Sequence, residues 1–238
     1  YLELQGDNPA YSAGNIALAM VQDANVTVFG TKEKWKMLGR TVPVSENGNG
    51  IHIFARSTFG KGYTLADAYD VRQTQGRPLK EVHLQNDTRE MESAMTTLLN
   101  YAVCQVVIDK DLDTPAVYDP QRMELAINPD YPDHEMFAAI ATAVAHSRLH
   151  GKGYNAQYDY AESDLDAQSV SYQLCRRYGV DRDLPDTAEL PALYDGWDAQ
   201  ERRQALDQIQ KMSKQIGASM EKSITPQRSR GPMQHNGR

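Results

Sequence analysis

The stretch His134–Asn155, HEMFAAIATAVAHSRLHGKGYN, sets His146 and His150 one helical turn apart, a spacing at which two imidazoles can share one metal ion. A zinc hydrolase of the HExxH type asks for more. It needs a histidine one turn before the second ligand and a glutamate directly after the first, to take a proton from the bound water. A third ligand must come from a neighbouring element. Counting back from His146, the first-ligand slot holds Thr142 and the general-base slot holds Ala143. A threonine hydroxyl does not replace an imidazole, and a methyl group takes no proton. Gln168, where the third ligand would be sought, is neutral. An alternative ligand set would combine His146, His150, Asp164 and Asp166, yet Ser147 stands where a base would follow His146. His134-Glu135 is followed by Ala138 at the second-ligand position, so its charges read as partners of a helix N-terminus. The expectation is a packed helix whose His146 hydrogen-bonds its neighbour, with no cofactor; zinc is the ion the pattern would otherwise suggest.

The elements that must position these residues follow from periodicity and punctuation. Residues 12–24 read as a helix with Ile16, Leu18, Met20 and Val21 as its apolar positions. Thr31 can cap a short helix that Gly39 ends. The segment TVPVSENGNGIHIFARS alternates on both sides of ENGNG and predicts a hairpin there, and YTLADAYDVRQTQGRP a further strand. Thr88 caps the next helix, VCQVVID reads as a short buried strand, and PAVYDPQRMELAINP as a hairpin around Asp119-Pro120. The helix from about Asp133 to His150 is followed by a Gly- and Tyr-rich loop. A second helix runs from about Ser163 to Tyr178 and stops at Gly179. A charged helix from Asp198 to about Lys222 and a polar, basic tail close the chain. The fold class is α+β.

Length and composition exclude several classes. A chain of 238 residues, 40% hydrophobic and 24% charged, can bury a core. It shows no apolar run of the roughly 20 residues that cross a bilayer and no opening leader pattern, so a cytoplasmic location without membrane contact is expected. Cys104 and Cys175 lie in apolar runs and suit a reducing compartment. No Gly-rich phosphate loop, GxSxG or CxxC occurs.

The net charge of −7 is unevenly spread: residues 30–80 carry 9 Lys/Arg against 4 Asp/Glu, while the remainder carries 16 against 28. Single-stranded nucleic acid is held by cations near phosphates and flat side chains under bases. Lys32, Lys34 and Lys36 surround Trp35, with Arg40 beyond, and Arg56, Lys61, Tyr63, Arg72 and Arg77 could extend a groove. Trp35 can equally be the anchor of a small core, with the lysines a solvated face. Weak, salt-sensitive binding is the expectation.

In the order of its segments the chain resembles the ArdC-like antirestriction proteins and the LtrC-like relatives of conjugative and phage elements. The resemblance rests on GNIALAM, TKEKWKMLGRTVPVSENGNGIHIF and YDVRQTQGRP in the first part. In the second it rests on VYDPQRMELAINP, IATAVAHSRLH and YAESDLDAQSVSYQLCRRYGVD. It implies a basic ArdC-N-like α+β domain at 12–84, linked to single-stranded DNA. A zincin-like α+β domain at 85–182, with a short antiparallel sheet and packed helices, would follow. A linker and charged helix at 183–222 and a disordered tail at 223–238 complete the expected organisation. Of the family's metal-site positions only His146 keeps its residue type; Thr142, Ala143 and Gln168 depart from it, so peptidase chemistry is expected to be lost. The resemblance implies an antirestriction-type pseudoenzyme contacting single-stranded DNA, with a protein of the mobile element as a second candidate partner. The rival readings are a zinc peptidase with a rearranged site and a pure interaction module.

Overall fold

The computed structural model describes residues 1–57, 60–151, 158–188 and 190–225. Two apolar clusters form. The first gathers Leu4, Ile16, Ala19, Val26, Phe29, Ile51, Ile53 and Ala68; the second spans Leu84 to Met220 around Phe137, Ile140, Val144, Leu174 and Tyr178.

Helix α1 (Leu2–Asp7) puts Leu4 in the first cluster and packs along helix α6 (Tyr160–Tyr178) of the second. Arg176 of α6 donates to both carboxylate oxygens of Asp7 at 2.9 and 3.0 Å. A segment before residue 12 thus joins the two cores. Helix α2 (Ala13–Gln22) is capped by Ser12 and buries Ile16, but Met20 and Val21 lie outside, contrary to the apolar face expected of them. Its polar residues explain why. The Asn15 amide accepts from the Phe54 N–H (2.8 Å) and donates to the Phe54 carbonyl (2.9 Å), and Gln22 does the same for His52 at 2.8 Å each. Two side-chain amides imitate a neighbouring strand and close that sheet edge.

Strand β1 (Phe29–Gly30) leads into helix α3 (Lys32–Met37), capped by Thr31 and followed by Gly39 at φ +73°, as expected. Strands β2 (Arg40–Thr41) and β5 (Gln75–Gly76) pair antiparallel, and β3 (Ile51–Arg56) pairs with β4 (Tyr63–Asp70), which also meets β1. The last pair of this ladder is Arg56 with Tyr63, so the hairpin does not turn at ENGNG. The stretch ENGNG is instead the exit of a 3₁₀ turn over Val44–Glu46, because Gly50 must lie flat under Ala68, where a Cβ would stand 2.7 Å from its carbonyl oxygen.

Helix α4 (Arg89–Leu99) starts on Thr88 and packs against the last helix, α8 (Ala199–Ile224). The second sheet has β7 (Ala116–Asp119) antiparallel to β8 (Glu124–Ile127), as read from sequence. It gains β6 (Gln105–Ile108), which runs parallel to β8. Strand β6 is largely exposed rather than buried, since it holds an edge. Helices α5 (Asp133–His150) and α6 (Tyr160–Tyr178) pack side by side, and α6 ends on Gly179 in the left-handed region. A short helix α7 (Leu190–Leu193) precedes α8, whose Ile209, Met212, Ile216 and Met220 are buried. The charged helix is thus part of the core, not a free docking arm. The tail expected to be disordered lies outside the described residues from Pro226 onward. No described helix is long and apolar enough to cross a membrane.

Candidate functional site

Helix α5 is buried on nearly every side, which its small residues permit: Ala141, Ala143 and Ala145 let neighbouring elements come close. His146 sits one turn before its end with no exposure. Its Nε2 lies 3.0 Å from Asp164 Oδ1 on α6, its Nδ1 2.8 Å from the Tyr158 hydroxyl, and its ring stacks on Tyr160 with centroids 3.9 Å apart. The hydrogen bond from His146 holds the Asp164 carboxyl below the usual range. Partial burial works against that, and the Gln168 hydrogen bond and the charge of Arg182 assist it. With Asp164 ionised, Nε2 carries a proton and donates, and in the neutral ring Nδ1 accepts from Tyr158. Gln168 occupies no ligand role: its amide donates to Asp164 Oδ2 at 2.6 Å, one turn away on α6.

The remaining metal-site positions are used for packing. The Thr142 hydroxyl donates to the Ala138 carbonyl at 3.1 Å, and Ala143 lies 3% exposed inside the second cluster, where its methyl group accepts no proton. The alternative set does not converge. His150 Nδ1 meets the Tyr118 hydroxyl at 2.6 Å and its ring stacks on Tyr158. Asp166 accepts from Tyr194 at 3.2 Å in a cavity of about 660 Å³ lined by Leu165, Leu184 and Leu206. Among the described residues no three His, Cys, Asp or Glu side chains gather around one point. His134 stays at the start of α5, beside Asn86 (3.1 Å). Tyr118, Tyr158 and Tyr160, read only as strand and loop residues, were missed as partners of the histidines. The run YNAQYDY just after His150 was the available signal.

The basic half is sorted by burial. Trp35 is fully buried and donates from Nε1 to the Tyr69 carbonyl at 2.9 Å. It is the anchor of this half and cannot stack on a base, which removes it from the expected contact set. Lys34 also turns inward, donating to the Phe29 carbonyl at 2.7 Å and lying 4.9 Å from the Tyr11 ring centroid; burial lowers its ammonium to about 8. Gly30 makes space for it, since a Cβ there would meet Lys34 Cδ at 2.5 Å. Arg40 is tied to the Thr74 hydroxyl and carbonyl and to the Arg77 carbonyl. Arg72 bridges Asp70 (2.6 Å) and Asp23 (2.8 Å). Lys32, Lys36, Arg56 and Arg77 remain on the surface.

Asp70, 3% exposed, accepts four hydrogen bonds, from the Thr27 N–H and hydroxyl and from the Arg72 N–H and Nε. Burial pushes its carboxyl up, but these donors, Arg72 foremost, win and hold it low. A carboxyl depressed in the folded state stabilises above its unfolded value of about 3.9 and loses that contribution as pH falls through the folded value. Asp70→Asn is therefore expected to cost about 1–3 kcal/mol at neutral pH and to flatten the loss of stability below about pH 4. Urea denaturation across the acid range checks both; an unchanged acid slope would exclude Asp70 as its source.

No protein-family model and no curated protein sequence matches this chain. Among solved structures, it is similar in fold to the metal-free crystal structure of the antirestriction protein ArdC from the R388 plasmid. The TM-score is 0.51 at 14% identity, covering 90% of this chain and 85% of that one. The Mn(II)-bound structure of that protein matches alike, with a TM-score of 0.51 at 14% identity over 91% and 86% of the two chains. The chain has an ArdC-like α+β fold. The expectation of no cofactor is overturned by the second structure, because a protein of this fold binds Mn(II). The side chains described around His146 nevertheless do not fit a zincin ion as they stand. They offer one imidazole, with both nitrogens hydrogen-bonded, and one carboxylate, where such a site takes three protein ligands.

Proposed function

We propose that this chain is an antirestriction-type protein of a bacterial mobile element. Its basic N-terminal unit, residues 12–84, contacts single-stranded DNA in the cytoplasm. The second unit, residues 85–182 with the helix at 198–222, is a scaffold without zincin peptidase chemistry. The observation that carries this reading is the fold shared with an antirestriction protein over 90% of the chain. The loss of peptidase chemistry is supported by the packing of Ala143 and the local hydrogen bond of Thr142, which leave no general base beside the helix imidazole. The DNA contact is supported by the surface cations Lys32, Lys36, Arg56 and Arg77 on a chain that is otherwise acidic. A protein of the same element is a second partner of the scaffold.

Two measurements test it. Expression in a restricting host is expected to raise the plating efficiency of unmodified phage, and an unchanged efficiency rejects the antirestriction role. Fluorescence anisotropy is expected to show single-strand affinity that falls about twentyfold between 50 and 200 mM salt, for about three phosphates neutralised at roughly 0.7 per phosphate. Lys32→Ala/Lys36→Ala is expected to flatten that slope. Binding indifferent to salt removes the cations from the contact.

A further inference from the structure

The β3–β4 hairpin shows two unlike faces. Ile51, Ile53 and Ala68 point into the first core, while the opposite face carries the directly paired residues Phe54 and Leu65, and Arg56 and Tyr63. Phe54 is 54% exposed, Tyr63 69% and Leu65 61%. Large apolar side chains placed side by side on a solvent face mark a contact surface. The Asn15 and Gln22 amides already hold the backbone of β3 at Phe54 and His52, so strand addition at that edge is closed and a partner reaches β3 through its face.

Charge selects the kind of partner. Arg56 lies across from Tyr63, and Lys61 is exposed in the turn between the strands. Phe54 and Tyr63 are diagonal neighbours, about 7 Å apart by strand geometry. Two rings at that spacing, flanked by a guanidinium and an ammonium, offer flat surfaces to successive bases and cations to the phosphates between them. We propose that the outer face of this hairpin is the base-stacking platform for single-stranded nucleic acid, with Phe54 and Tyr63 as the stacking rings and Arg56 and Lys61 as the backbone contacts. This rests on the single-strand reading above and adds stacking rings to its surface cations.

The test compares a fluorescein-labelled oligo-dT with an abasic oligonucleotide of the same length, using the full chain. The wild-type protein is expected to prefer oligo-dT by about tenfold or more per stacked ring. Phe54→Ala/Tyr63→Ala is expected to remove that preference while keeping the salt slope; Phe54→Tyr/Tyr63→Phe is expected to retain it. Both positions are exposed, so these variants should keep the wild-type denaturation midpoint. If Phe54→Ala/Tyr63→Ala binds oligo-dT as the wild type does, the platform is wrong and the single-strand reading stands. If the wild type binds neither probe, that reading falls and the platform with it. If the alanine variant instead converts a dimer to a monomer without changing base preference, the face belongs to a second copy of the chain and the proposal is overturned.

Discussion

Trp35→Ala is expected to unfold the N-terminal half while the helical half stays folded. Trp35 is among the largest fully buried side chains, and its indole N–H satisfies the Tyr69 carbonyl on the central strand β4. Truncation leaves an indole-sized void beside β4 and removes one of the donors to that carbonyl, which keeps its pairing with Gly30. Aromatic-to-alanine changes in cores cost about 3–5 kcal/mol, and the lost hydrogen bond adds about 1 kcal/mol. A small domain has only about 5–15 kcal/mol in all, so the loss is decisive there. The second cluster shares none of these contacts and should persist. Native-state hydrogen exchange resolves the halves: protection is expected to vanish in β3 and β4 and to survive in α5 and α6. A variant that keeps the wild-type protection in β3 and β4 would show that Trp35 is not the anchor.

His146→Ala is expected to destabilise the helical half by about 3–4 kcal/mol. That sum combines a void in a closed core with the half-buried Tyr158 hydroxyl left without this partner. The ring makes three contacts that an alanine cannot replace: Tyr158 at Nδ1, Asp164 at Nε2 and the stack on Tyr160. A second readout follows from charge. The His146 donor is the largest cause of the depressed Asp164 carboxyl, so its removal should let that carboxyl rise toward the ordinary value. Because a depressed carboxyl stabilises above its unfolded value and loses this as pH falls through the folded one, the variant should also lose part of the acid-side slope. A carbon-13 titration of Asp164 measures the rise directly. An Asp164 titration unchanged in the variant would sink the hydrogen-bond assignment.

Much of the helix pattern in both halves was legible in the sequence because its signals are local. Ser12, Thr31, Thr88 and Asp198 each cap the helix they precede, and Gly179 ends α6 in the left-handed conformation. Such caps depend on a side chain and the backbone three residues away, so no knowledge of the tertiary fold is needed. The absence of a histidine and a glutamate at Thr142 and Ala143 is equally plain, and so is the concentration of positive charge between Gly30 and Lys80.

The first hairpin was read in the wrong place for a physical reason. ENGNG has the turn residues of a hairpin tip, yet the chain there closes over Ala68, and the strand after it pairs with Tyr63–Asp70 instead. Moving the tip changes which side chains face outward, since alternate residues point to opposite faces. Tyr63 was named from the sequence, but Phe54 could not be set beside it until the register was known. Burial made the other decisions. Trp35 and Lys34 carry the right chemistry for DNA but face inward, and Arg40 and Arg72 are spent on partners far apart in sequence.

The sequence by itself determined which residues exist to do chemistry, where the helices begin and end, and that the general base of a zincin is missing. Only the tertiary structure decided that His146 is held by Tyr158, Asp164 and Tyr160, and which aromatic rings of the basic half meet solvent. Those outcomes depend on contacts between segments distant along the chain, and residue spacing alone does not encode which distant segments meet.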